Sequence, residues 1–151
     1  MKIYISAMAE TRTEIERALN GATYQVIENI FKLLLLPNHA AVNHWRKEIA
    51  SSIYEVGKLK STKRFPTAEQ LYAWTYKKKQ DLVTDVTWVS RLINNICYEY
   101  DVKNNFVPFE ISNQIDSICE LYFSWLSSEL AAYGYVEFKM IYSKLDDLLF
   151  D

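Results

Sequence analysis

Glycine occurs only at positions 21, 57 and 134 of 151 residues, and no low-complexity linker or internal repeat interrupts the chain. A sequence so poor in the residue that permits left-handed turns reads as long helices joined by short connections. Apolar periodicity points the same way. In the first stretch Thr11 with Glu14 and Thr13 with Glu16 each offer a capping box, and Ile15, Leu19, Ala22, Val26, Ile30 and Leu33 follow at helical spacing until Pro37. Gly21 costs this helix about 1 kcal/mol against alanine, which makes it the expected place for a bend or break.

Asn38 is positioned to cap a second helix, whose apolar stripe is Val42, Trp45, Ile49, Ile53, Val56 and Leu59. The basic connection "KLKSTKRFPT" follows, and Pro66 and Thr67, with Gln70 three residues on, restart a helix whose buried face begins at Leu71 and Trp74. Leu82, Val86, Val89, Ile93 and Ile96 then step by four and three. After the polar turn "DVKNN", Pro108 suits a first helical position, and Ile111, Ile115, Ile118, Tyr122, Trp125 and Leu130 share one broad face. Gly134 ends that run, and Phe138, Ile141, Leu145 and Leu148 describe a last helix.

The expectation is an all-α fold, a compact bundle of five or six mostly antiparallel helices forming a single helical domain over residues 1–151. "MKIYIS" and "YVEFKMIY" also alternate in the manner of strands, so the alternative is an α+β fold with a small sheet from residues 2–6 and 135–142. Half the residues are hydrophobic, enough for one core without staples. Cys97 and Cys119 lie in apolar helix patterns and read as buried thiols. No secretory leader is recognisable and apolar runs such as Leu33 to Leu36 are far too short for a bilayer, so the sequence predicts a cytoplasmic protein.

The formal charge of -2 is unevenly spread. Residues 58–79 carry seven basic side chains against one acidic, a net of +6, whereas residues 100–151 carry three basic against nine acidic, a net of -6. Such asymmetry guides charged partners or favours head-to-tail self-association. Within the basic part, "LYAWTYKKKQD" sets three aromatic rings beside three lysines, the mix that stacks bases and neutralises phosphates. On a helical wheel with Leu71 at zero the core direction lies near 20°, and Lys77, Lys78 and Lys79 fall at about 240°, 340° and 80°. They make no flat phosphate strip. Lys78 points almost into the core, so either the helix loosens around Lys77 to Asp81, with Asp81 capping a new one, or Lys78 runs its stem along the core and releases its ammonium at the edge. Tyr72 and Tyr76, at about 100° and 140°, lie close to Lys79 and form with it the one small exposed patch. The preceding basic residues Lys58, Lys60, Lys63 and Arg64 extend that patch if they fold beside it.

Catalytic constellations are weak. His39 and His44 are the only histidines, and their five-residue separation does not make a metal pair, although His44 and Glu48 share a face. Asp81 with Asp85 and Asp146 with Asp147 are spacings that arise by chance among nineteen acids. Three scattered glycines make no phosphate cradle, Cys97 has no histidine beside it in sequence, and the serines of "SWLSSEL" lack a nucleophile elbow. No cofactor or metal is expected. Eleven tyrosines, seven phenylalanines and four tryptophans exceed what one small core hides, and Tyr72, Tyr76, Tyr98, Tyr100, Tyr133 and Tyr135 fall off the apolar stripes. The sequence therefore predicts a non-catalytic helical binding protein, an adaptor or inhibitor, that engages a protein partner and no membrane, with self-association as a further option. The alternatives are nucleic-acid binding through residues 58–79 and an enzyme whose acidic site is assembled from separate helices.

Overall fold

The computed structural model describes residues 12–60 and 66–126. All their regular structure is helical, as the all-α expectation requires: α1 (Arg12–Leu35), α2 (Val42–Lys60), α3 (Ala68–Lys79), a π turn (Gln80–Thr84), α4 (Val86–Glu99) and α5 (Pro108–Leu126). The segments 2–6 and 135–142 proposed as a sheet, and the last helix expected from Phe138 to Leu148, lie outside the described residues.

Helix α1 is already helical at Arg12, so Thr13 is an interior residue rather than its cap. The helix runs unbroken through Gly21, so the chain does not break there. Tertiary burial of Ile15, Leu19, Val26, Ile27 and Ile30 on its flanks outweighs a propensity cost of about 1 kcal/mol. Among the described residues, the packing of α1 along α2 is the most extensive between two helices. Asn38 is not the cap of α2, which begins four residues later at Val42. His39 serves there instead: its Nδ1 accepts the Ala41 N–H at 3.0 Å, while Ala41 C=O accepts the first helical bond from Trp45. The α2 stripe is otherwise as read, with Trp45, Ile49, Ile53 and Val56 fully buried.

Thr67 and Gln70 form the expected capping box at the start of α3, the threonine hydroxyl accepting the Gln70 N–H and the Gln70 side chain accepting the Thr67 N–H. The interruption anticipated near Lys77 to Asp81 is present but displaced. Helix α3 continues into the π turn, and the chain becomes extended only at Asp85, whose carboxylate accepts the N–H groups of Thr87 and Trp88. Asp85, not Asp81, is therefore the cap of α4. A π turn inserts an extra residue per turn, and this moves the apolar face. Leu82 and Val83 both become buried, while Val86, assigned to the stripe by spacing alone, is exposed on the first turn of α4. Ser112 of α5 donates its hydroxyl to the Val83 carbonyl and satisfies a buried acceptor at the interruption.

Helix α5 begins at Pro108 as expected and buries Ile111, Ile115, Ile118, Cys119 and Tyr122. It meets the π turn, α3, α4 and α1, so it is the element around which the second half of the fold is organised. Thr23 of α1 and Tyr122 share a buried hydrogen bond of 2.7 Å between hydroxyls. The buried apolar side chains of all five helices join in one cluster. Among the described residues, no helix is long and apolar enough to cross a membrane.

Candidate functional site

The aromatic and lysine stretch lies on α3 and turns partly inward. Leu71 and Thr75 are buried, and Trp74 packs against the core, as the helical wheel requires. Lys78 follows the core edge and holds its ammonium 5.6 Å from the Tyr24 ring centroid and 5.8 Å from that of Trp74. Of the two options the snorkelling lysine is the one realised at Lys78, and the interruption falls later, in the π turn. Tyr24 in turn packs against Trp88 of α4, which also meets Phe31 edge-on. These rings and Lys78 knit α1, α3 and α4 together.

Lys79 reaches across to α5. Its ammonium bonds Glu120 and lies 3.4 Å from Asp116, and the side chain is about one-third exposed. The Glu120 hydrogen bond chiefly, with the charges of Asp116 and Glu120, raises the Lys79 pKa above its usual value against an opposing effect of burial. An ammonium held this way stays charged at neutral pH, so it suits neither a general base nor a Schiff-base nucleophile. Tyr76 is 61% exposed and its hydroxyl accepts from Gln80. Tyr72 sits one turn before it on the same helix.

The rest of the basic set is dispersed. Lys58 pairs with Glu55 at 3.5 Å and lies 4.5 Å from the Tyr54 ring on α2. Lys60 is the last residue of α2, and Lys63 and Arg64 lie outside the described residues. His44 and Glu48 make the surface pair their spacing suggests, at 3.7 Å. His39 is half-buried, stacked on Trp45 and edge-on to Tyr100. Tyr100, expected outside, is half-buried because its ring packs against Trp45 and His39, with the Lys32 ammonium 5.7 Å from its centroid. Cys97 and Cys119 are free and buried, and burial raises both thiol pKa values, which leaves them poor nucleophiles. Among the described residues no three His, Cys, Asp or Glu side chains are grouped to hold a metal ion.

A second group of exposed side chains brackets the connection between α4 and α5, the corner of the fold where the two helices join. Tyr98, on the last turn of α4, is 90% exposed; Val107 and Phe109, at the start of α5, are 49% and 62% exposed. Glu99, Asp101 and Glu110 are exposed among them, with Lys103 the one basic residue from 98 to 110. The connection is fixed: the Asn104 side-chain amide donates to Asn94 Oδ1, one turn before Tyr98, and Asn104 Oδ1 accepts the Phe106 N–H.

The corner's backbone has a specific form. Val102 N–H bonds Cys97 C=O at 2.9 Å and Asp101 N–H bonds Tyr98 C=O at 3.3 Å, the paired bonds of a Schellman motif, with Asp101 in the left-handed region at φ 52°. At the other side Val107 C=O accepts the first helical bond of α5 from Ile111, so Val107 occupies the N-cap with no side-chain oxygen to offer. Of the exposed apolar side chains here only Tyr98 was singled out from sequence. Phe109, two residues before Ile111, stands about 200° away from the buried stripe, a signal the wheel holds for any reader who extends it to the first turn. No family model matches this chain, and neither a curated protein nor a solved structure matches it significantly, so a functional reading rests on this geometry.

Proposed function

We propose that this chain is a non-catalytic helical binding protein, an adaptor or inhibitor, that engages another protein through exposed aromatic side chains. The observation that carries the reading is the exposure of Tyr98, Phe109 and Tyr76, three large rings left in water by a fold that buries Trp45, Tyr122 and Phe31 completely. Exposed rings supply contact area with few rotors to immobilise, which suits protein interfaces. Two of the lysines on which a nucleic-acid reading depends are paired within the fold, Lys79 with Asp116 and Glu120 and Lys58 with Glu55, while Lys77 is exposed. That leaves the basic segment with less charge for phosphates than its composition suggests. Two unpaired, buried thiols suit a reducing compartment, and the reading places the protein in the cytoplasm.

A photo-reactive amino acid placed singly at positions 76, 98 and 109, with exposed Ser51 on α2 as control, tests the reading. Irradiation in the source cell should give a discrete heavier species from at least one aromatic position and none from the control. Equal labelling at all four positions, or at none, rejects it. Fluorescence anisotropy with single-stranded and duplex nucleic acid at low salt examines the competing class, and binding there that falls with salt would replace the protein partner.

A further inference from the structure

We infer that the α4–α5 corner is the docking surface, and that it takes a positively charged protein segment carrying apolar anchors. This rests on the proposed protein-binding role and names the chemistry of the partner. Tyr98, Val107 and Phe109 supply exposed apolar contact, and Glu99, Asp101 and Glu110 supply exposed negative charge around it. A segment complementary to both alternates Lys or Arg with aromatic or aliphatic side chains.

The corner is also where the chain departs from its own best local chemistry, three times within nine residues. Asp101 holds a left-handed conformation that glycine adopts without strain. Glu99 and Asp101 place negative charge at the negative end of the α4 dipole, whose last turn has no basic residue. Val107 occupies an N-cap where serine, threonine or aspartate would bond the free amides, and it exposes apolar surface in doing so. By contrast α3 and α4 carry side-chain N-caps, the Thr67–Gln70 box and Asp85, although α2 also starts without one, from Ala41. Local rules broken together, at one solvent-facing place, mark a site kept for something other than stability. The features retained at that cost are two acids and an apolar side chain, and these are the groups a basic, apolar segment recognises.

Selection of random dodecapeptides displayed on phage against the full chain tests this directly. Peptides of net positive charge with aromatic or aliphatic residues should be enriched, and their binding should weaken as salt rises. Each should bind about tenfold or more weakly to the variant E99Q/D101G/E110Q, and to F109S, while K77A keeps its affinity. The D101G change relieves backbone strain, so a loss of binding in a variant whose melting temperature is maintained is not a loss of fold. Enriched peptides with no positive bias, or peptides that bind the corner variants unchanged, overturn the corner while leaving a protein-binding role elsewhere intact. No enrichment overturns both readings. Sedimentation velocity over a range of concentrations completes the test: self-association abolished by the corner variant would assign a second copy of this chain as the occupant and overturn the external partner.

Discussion

The seam between α3 and α5 and the corner between α4 and α5 use charge in opposite ways. At the seam one ammonium, that of Lys79, stands against two carboxylates, Asp116 and Glu120, within the molecule. At the corner Glu99 and Asp101 sit at a helix end that disfavours them, with no basic residue in the last turn of α4. Paired charge of the first kind holds helices in register. Unfavourable charge of the second kind is what the proposed basic partner would compensate. The paired Lys79 is thus less available to a partner than the exposed Glu99 and Asp101.

Removal of Lys79 gives the largest effect. In K79M the Asp116 oxygen that faces the ammonium, buried and without another hydrogen-bond partner, loses its counter-charge. We expect a loss of about 1–2 kcal/mol in urea unfolding, small for a buried charge because the Glu120 end of the seam remains in water. The pH dependence has a definite sign. Because the folded pKa of Lys79 is raised above the usual 10.5, its stabilisation is complete below that value and disappears as pH climbs through the higher folded one. The wild-type protein should lose this component only in strong alkali, and K79M should lack it. An unchanged midpoint in K79M would mean that the seam does not hold α3 against α5.

The two regions also differ in how far they could be read beforehand. The all-α bundle, the α2 stripe, the Thr67 capping box, Pro108 at the head of α5 and the burial of both cysteines follow from periodicity and capping chemistry, which are local. The displaced break at the end of α3 was not legible, because a π turn shifts the apolar face by a residue without changing composition. Neither was the fate of Lys79, which depends on acids 37 and 41 positions away that fold topology brings near. At the corner the turn "DVKNN" was visible as a turn, but its Schellman geometry with Asp101 in the glycine position requires backbone bonds to α4 that no composition reveals.

Correcting the corner should stabilise the molecule, the reverse of the result at the seam. V107S supplies the missing acceptor for the free amides of α5 and should gain about 1 kcal/mol. D101G should gain about 0.5–1 kcal/mol by removing a left-handed aspartate, less the added entropy of glycine in the unfolded chain. Their sites are separate enough for the gains to approach additivity. Chemical denaturation of each variant measures this, and a loss of stability in both would show that the corner is already optimal as built, removing the reason to read it as a surface retained for a partner.

The smallest effects carry the sharpest sign. Glu99 lies at the C-terminal end of α4 and Glu110 in the first turn of α5, so the two acids share a corner but face opposite helix poles. Neutralising Glu99 as E99Q should raise stability by about 0.3–0.5 kcal/mol, and E110Q should lower it by a similar amount, with both differences shrinking in molar salt. Binding of a basic segment should fall in both variants alike, because the partner senses net charge and not the pole beneath it. Parallel losses of affinity with opposite shifts in stability would separate the two roles of these carboxylates. If affinity instead followed stability, the corner's charge would act through helix formation alone, and the difference between corner and seam would collapse.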